Sequence, residues 1–213
     1  MSTPTRVVHH GDGVAFLAQG RLPDDHAIIT SLPDHSELPA LGIDGWRRWF
    51  IDTVTLVCSA VADDAVAILY QTDVKHDGRW VDKAHLVLCG ADAARSHLLW
   101  HKVVCRVTPG TTTFGRPAYA HMLCLSRARR LAPGNATPDV LPSLGAMSWA
   151  RAMGGAACEA AVQFAASTGA RTIVDPFCGH GSALGAANHH GLDAIGVELS
   201  RRRAARARRV APT

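Results

Sequence analysis

The stretch that most constrains the fold is residues 171–185, Arg-Thr-Ile-Val-Asp-Pro-Phe-Cys-Gly-His-Gly-Ser-Ala-Leu-Gly. A strand over Arg171–Asp175 gives way to a turn with two glycines, and a helix of small residues starts at Ser182. Strand, glycine turn and helix in that order belong to an α/β unit, whose ligands sit beyond the C-terminal ends of the strands. Gly179 and Gly181 let the backbone approach a ligand that a Cβ would push away. A second strand, Asp193–Glu198, ends on an acid, where a carboxylate can accept hydrogen bonds from both hydroxyls of an adenosine ribose. The spacing GxGxxxG departs from the dinucleotide fingerprint, and no lysine follows as in a phosphate loop. The pattern suits a cofactor with adenosine but no pyrophosphate.

Upstream, Arg6–His9, Ala27–Ser31 and Ala65–Gln71 read as strands. Between the last two, Asp44–Ala60 places Trp46, Trp49, Phe50, Thr53, Val54 and Val57 at helical period. Trp80–Ala91 suits another helix, and Leu98–Val104 and Ala118–Ser126 an antiparallel pair joined by a Thr/Gly/Pro loop. Helices over Ser148–Ser167 and Ser182–His190 and an arginine-rich C-terminal helix complete the pattern. Alternating strands and helices predict an α/β fold with a mainly parallel sheet. Residues 1–127 and 145–213 form two halves of one domain, joined by a proline-bearing linker over 128–144.

Composition excludes other classes. A chain of 213 residues, 47% hydrophobic and 19% charged, buries roughly 70% of its unfolded surface and needs no disulfide or metal staple. No uncharged apolar run approaches the ~18 residues of a membrane span, and Met1–Val8 lacks a signal-peptide pattern, so a cytoplasmic location is expected. The cysteines, Cys58, Cys89, Cys105, Cys124, Cys158 and Cys178, are spread singly without CxxC, as reduced thiols are. The pairs His9–His10 and His189–His190 have no zinc spacing, and no metal site is expected. The net charge of +4 is local: Arg201, Arg202, Arg203, Arg206, Arg208 and Arg209 lie in the last 13 residues, which hold no acid. They and the smaller cluster Arg127, Arg129 and Arg130 can attract phosphates. The other reading is a solubilising terminal helix with cations at its C-terminus.

Asp175-Pro-Phe-Cys-Gly-His-Gly-Ser182 resembles the DPF-x-G-x-G-T/S motif of S-adenosylmethionine-dependent methyltransferases, particularly those acting on amino nitrogens of nucleic acids. A second stretch is similar to the same family. His10-Gly-Asp12-Gly is followed by a strand that ends in Ser31-Leu32-Pro33-Asp34, at the place of a Gly-Asp pair that contacts adenine and a D/N/S-P-P-Y/F/W catalytic loop. Here the catalytic motif precedes the cofactor motif, as in the circularly permuted amino-methyltransferases, and the resemblance runs from about Arg6 to Arg209. It implies a single Rossmann-like domain with a seven-stranded, mostly parallel sheet. It implies S-adenosylmethionine as cofactor, held by Asp12, Ser31, Ser148, Asp175, Pro176, Phe177, Cys178, Gly179, Gly181, Ser182 and Glu198. Asp175 and its turn would take the methionine end and Glu198 the ribose. Ser148 reads as the N-cap of a helix whose first amides can receive the methionine carboxylate.

Ser31, Leu32, Pro33 and Asp34 are the implied catalytic residues, and they depart from the family pattern. Ser31 Oγ and the Leu32 carbonyl can still accept hydrogen bonds from an exocyclic amine as it becomes tetrahedral. The aromatic that stacks on a flipped-out base is replaced by Asp34, which can bind a cationic substrate or take a proton. His35 and Glu37 either assist or cap the next helix. Trp46, Trp49, Trp80 and Trp100 either replace the missing ring or fill the core. Three functions follow from these residues. One is N-methylation of a nucleic acid, RNA slightly ahead of DNA because no target-recognition domain is left over. The second is methylation of a small molecule or protein, and the third a non-catalytic cofactor-binding subunit. Target choice would then come from the core's loops, the basic helix or a partner chain.

Overall fold

The computed structural model describes residues 3–132, 134, 136–147 and 152–211. Its first half contains β1 (Arg6–His10), α1 (Gly13–Leu17), β2 (His26–Thr30), α2 (Gly42–Ala60), β3 (Ala67–Gln71), β4 (Val74–His76), β5 (Arg79–Val81), α3 (Lys83–Ala93), β6 (His97–Cys105) and β7 (Tyr119–Ser126). The second half adds β8 (Val140–Leu141), α4 (Gly155–Ser167), β9 (Thr172–Asp175), α5 (Ser182–His189), β10 (Asp193–Glu198) and α6 (Arg201–Ala207). Eight strands form one sheet in the order β1-β10-β9-β2-β3-β7-β6-β8, while β4 and β5 make a separate hairpin. Within the large sheet β7 runs antiparallel to β3 and β6, and the remaining pairs are parallel.

The strands alternate their side chains between two packed layers. On β2, Ile29 joins the layer that holds Ala157, Ala161 and Ala165 of α4 with Leu184 and Ala187 of α5. Ile28 joins the other, which contains Trp46, Phe50, Val54 and Val57 of α2 with Leu86 and Val87 of α3. Those four α2 residues are fully buried, while Arg47, Arg48 and Asp52 face outward, so the helix forms because one apolar stripe of 3.6 period has a sheet to cover. Small residues set the helix spacing. A Cβ on Gly90 of α3 would lie 2.6 Å from Val54 Cβ of α2.

Sheet order fixes where a ligand can bind. β9 continues through α5 to β10 on one side, and β2 continues through α2 to β3 on the other. The crevice between β9 and β2 is therefore the topological switch point. The ends of β1, β10, β9, β2 and β3 all open onto that edge.

Several expectations change. The sheet has eight strands rather than seven, because the two-residue β8 in the 128–144 segment adds to β6. The helix expected over Trp80–Ala91 is present as α3, Lys83–Ala93, but Trp80 and Val81 belong instead to β5 of the hairpin that precedes it. Asp77 and Gly78 take positive φ at the turn, and the Asp82 side chain caps α3 by accepting from the His85 N–H at 3.0 Å. The helix expected from Ser148 begins at Gly155, and Ser148 itself lies outside the described residues. The short α1 escaped periodicity analysis because one and a half turns carry too few residues to show a period. Among the described residues, no helix is long and apolar enough to cross a membrane.

Candidate active site

A cavity of about 540 Å³ opens at the switch point. Of the residues singled out from sequence, Asp12, Ser31, Leu32, Pro33, Asp34, Asp175, Pro176, Phe177, Cys178, Gly179, Ser182 and Glu198 line it. Gly181 lies outside the lining and shapes the turn. With φ of +83° it adopts the left-handed conformation that caps α5, and its N–H donates to the Cys178 carbonyl at 2.7 Å. Gly179 also has positive φ, +55°, so glycine is the residue that fits both positions.

The turn after β9 is held by backbone donors. The Cys178 N–H donates to the Val197 carbonyl at 3.0 Å. The Gly179 N–H donates to Glu198 Oε2 at 3.1 Å, and the Ser200 N–H to Glu198 Oε1 at 2.7 Å. Glu198 is 6% exposed, and Arg203 Nε of α6 lies 3.0 Å from Oε1. That leaves Oε2 an accepting direction of its own, while Oε1 is shared with a cation. Arg203 also reaches Glu37 Oε1 at 3.5 Å, and Glu37 Oε2 accepts the Asp34 N–H at 3.2 Å. An ion pair thereby ties the strand-end acid to the loop after β2.

Asp175 is the most perturbed acid of the cavity. Burial pushes its carboxyl up to about 7; hydrogen bonds from Thr30 and the Phe177 N–H oppose that rise, and the nearby Glu198 adds to it. The Thr30 hydroxyl donates to Asp175 Oδ1 at 2.7 Å across the switch point. Gly13, the first residue of α1, sits so close to the same turn that a Cβ there would lie 2.1 Å from the Pro176 carbonyl oxygen. Asp12, one residue before, accepts from the Val14 N–H at 2.8 Å and fixes the start of α1.

The loop after β2 is braced by side chains. Trp46 Nε1 donates to the Pro33 carbonyl at 3.1 Å. Asp34 pairs with Lys83 Nζ, and that lysine is 2% exposed. The Lys83 N–H in turn donates to Asp73 Oδ1 at 2.8 Å, and Asp73 Oδ2 lies 3.1 Å from His121 Nε2. Burial raises Asp73, but the bonds from His121 and the Lys83 amide outweigh it and leave the carboxyl low. Glu37 completes a capping box around Asp34, so the capping alternative holds for that residue.

The tryptophans separate by position. Trp46 is fully buried. Trp100 packs edge-on against Phe164 on the opposite face of the sheet, and Trp80 stands on the β4–β5 hairpin with Lys75 over its ring. Trp49 does line the cavity, edge-on to Phe177. Another ring was missed from sequence. Phe114, in the loop between β6 and β7, is 94% exposed, and the next two residues, Gly115 and Arg116, line the cavity. Lys83 was missed as well, because an isolated lysine reads as a surface residue.

The sequence matches no protein-family model and no curated protein. Solved structures do resemble it. A Thermus thermophilus protein described as a DNA modification methylase superposes with a TM-score of 0.74 at 17% identity, covering 95% of this chain and 93% of its own. Its complex with S-adenosyl-L-methionine gives 0.70 at 18% identity, over 95% and 91%. The cytosine-N4-specific PvuII DNA methyltransferase gives 0.73 at 13% identity, over 97% and 86%. This chain has their fold. That shared fold extends over nearly the whole chain, and its strand ends carry both motifs read from sequence.

Proposed function

We propose that this chain is an S-adenosylmethionine-dependent methyltransferase acting on an exocyclic amino group of a nucleic acid base, with DNA ahead of RNA. One observation carries the proposal. The glycine turn after β9 and the Ser31–Asp34 loop after β2 open onto one cavity and are joined by the Thr30–Asp175 hydrogen bond. Neighbours of the same fold are described as DNA methylases, one of them complexed with S-adenosyl-L-methionine, which moves the preference from RNA to DNA.

The residues present fit that cofactor. The cavity volume lies within the usual range for small-molecule sites. Two glycines with positive φ keep side chains off the turn, and Glu198 is oriented by two backbone amides with one accepting direction left on Oε2. Glu198 would hold the ribose, Asp175 and the turn the methionine end, and Asp12 the adenine side. When bound, S-adenosylmethionine supplies an electrophilic methyl group on a sulfonium. The chain aligns the nucleophile with that methyl and accepts hydrogen bonds from the amine through Ser31 Oγ and the Leu32 carbonyl. Asp34, paired with Lys83, acts as a brace for the loop rather than as a general base. Phe114 supplies the stacking surface that the loop lacks.

A non-catalytic cofactor-binding subunit is the second function, favoured by the cations that already occupy Asp34 and Glu198. Transfer of labelled methyl from S-adenosylmethionine to unmethylated DNA, RNA and cell extract separates the two. Label in DNA supports the enzyme, label only in RNA or in extract reassigns its acceptor, and cofactor binding without transfer leaves the subunit.

A further inference from the structure

The acceptor side of the cavity holds a polar group that the proposed methyl transfer does not yet use. Gln71 is the last residue of β3, 1% exposed, and part of the cavity lining. Neither Oε1 nor Nε2 of its amide has a hydrogen-bond partner. Its polar neighbours on the same sheet edge are engaged. Asp73 is bonded on both oxygens, and His121, opposite Gln71 in the β3–β7 register, is bonded to Asp73 and lies 3.0 Å from His101. Close by in the lining, the Nδ1 of His35 is likewise enclosed without a partner.

An amide buried without partners carries its full desolvation penalty, and a leucine of similar volume would not. Two residues earlier on the same face, Leu69 packs fully buried in the core, so the strand accommodates an apolar side chain there. The register pairs Thr30 of β2 with Leu69 of β3. The Ser31–Asp34 loop and Gln71 therefore leave adjacent strands at one edge.

We infer that Gln71 is the residue that reads the acceptor base, turning its amide into the cavity to pair with an amino group and the ring nitrogen beside it, as adenine and cytosine present. The amide oxygen accepts one amino hydrogen and the amide nitrogen donates to the ring nitrogen, a bidentate match. The second amino hydrogen is left for Ser31 Oγ and the Leu32 carbonyl to share. Gln71 is thereby a specificity residue that also orients the nucleophile. The inference rests on the proposal that the acceptor is a base amine.

Equilibrium dialysis of deoxyadenosine and deoxycytidine against protein loaded with S-adenosylhomocysteine tests it, with cofactor binding measured separately by calorimetry. At least one nucleoside binds the wild type, and Gln71→Leu weakens it about tenfold or more. The same variant keeps cofactor affinity within twofold and raises Tm, because the unpartnered amide is gone. Binding of neither nucleoside to loaded wild type, binding to Gln71→Leu within twofold, or a lowered Tm each overturns the inference. A wild type that binds no cofactor overturns the methyltransferase proposal and this inference together.

Discussion

At one end of the cavity, the turn after β9, the main chain does most of the holding, whereas at the other, the loop after β2, side chains from distant elements do it. The turn after β9 is fixed by Gly179 and Gly181 at positive φ and by amide donors to Glu198 and Val197. The loop after β2 is fixed by Trp46 from α2, Lys83 from α3 and, through Glu37, Arg203 from α6. Backbone geometry leaves a local trace in sequence, as glycines at set spacing. A brace built from distant side chains leaves none. Substitution separates the two ends in the same way.

The largest effect is expected where backbones touch. Gly13→Ala would force a Cβ to 2.1 Å from the Pro176 carbonyl, and urea denaturation should show a loss of about 3 kcal/mol or more. Gly45→Ala in α2 is the control, since its nearest neighbour would lie 3.5 Å away. That variant should gain about 0.5–1 kcal/mol from helix propensity. Equal effects at both sites would remove the close approach as the reason for Gly13.

The brace on the loop after β2 predicts an asymmetry. Lys83 is 2% exposed and the Asp34 side chain 27%. Asp34→Asn leaves a buried cation without its counter-charge and should cost about 2–3 kcal/mol. Lys83→Met leaves a carboxylate that water can reach and should cost less than about 1 kcal/mol. The reverse order in denaturation would mean that the loop, and not the lysine, bears the strain.

This contrast explains what was legible. The strand–turn–helix at Asp175, the acid at Glu198 and the order of the two motifs could be read because each is local. The parallel sheet could be read because alternating apolar runs and helices admit few arrangements. The eighth strand could not, since Val140–Leu141 is two residues long and carries no pattern. The β4–β5 hairpin was hidden because its strands have three residues each, too few to show an alternation, and its positive-φ turn, Asp77-Gly78, is a short signal. Lys83, Gln71 and Arg203 could not be placed beside the cavity from sequence, because their neighbours come together only after the chain folds. The same holds for Asp34, whose negative charge looked available until a lysine 49 residues away was found on it.

A titration sharpens the comparison at the turn after β9. Asp175 stands at about 7 when folded, against an ordinary value of 3.8. Between those values the folded chain keeps a proton that the unfolded chain has lost. The stabilisation is thus full below pH 3.8 and disappears as pH rises through about 7. Wild type should lose up to about 4 kcal/mol relative to Asp175→Asn over that window. A pH-independent difference would show that Asp175 is ionised throughout. If Asp175 takes the cofactor's amine, as proposed, the cation favours the carboxylate form and cofactor affinity should rise as pH approaches 7. Glu198→Gln should weaken cofactor binding about tenfold at fixed pH, read by calorimetry.

The smallest effect on stability belongs to Phe114, where the largest separation of stability from function is expected. Its ring is 94% exposed, so Phe114→Ala should change unfolding free energy by less than about 0.5 kcal/mol. Cofactor affinity should not move either, because the β6–β7 loop borders the acceptor side. If the ring stacks on the acceptor base, kcat/KM for methyl transfer to DNA should fall about tenfold, since one base–aromatic stack is worth ~1–3 kcal/mol. Phe114→Trp should keep the activity and Phe114→Leu should restore part of it, an order that a loop-rigidity effect would not follow. Unchanged kcat/KM in Phe114→Ala would return the missing stacking surface to Trp49, which lines the cavity edge-on to Phe177.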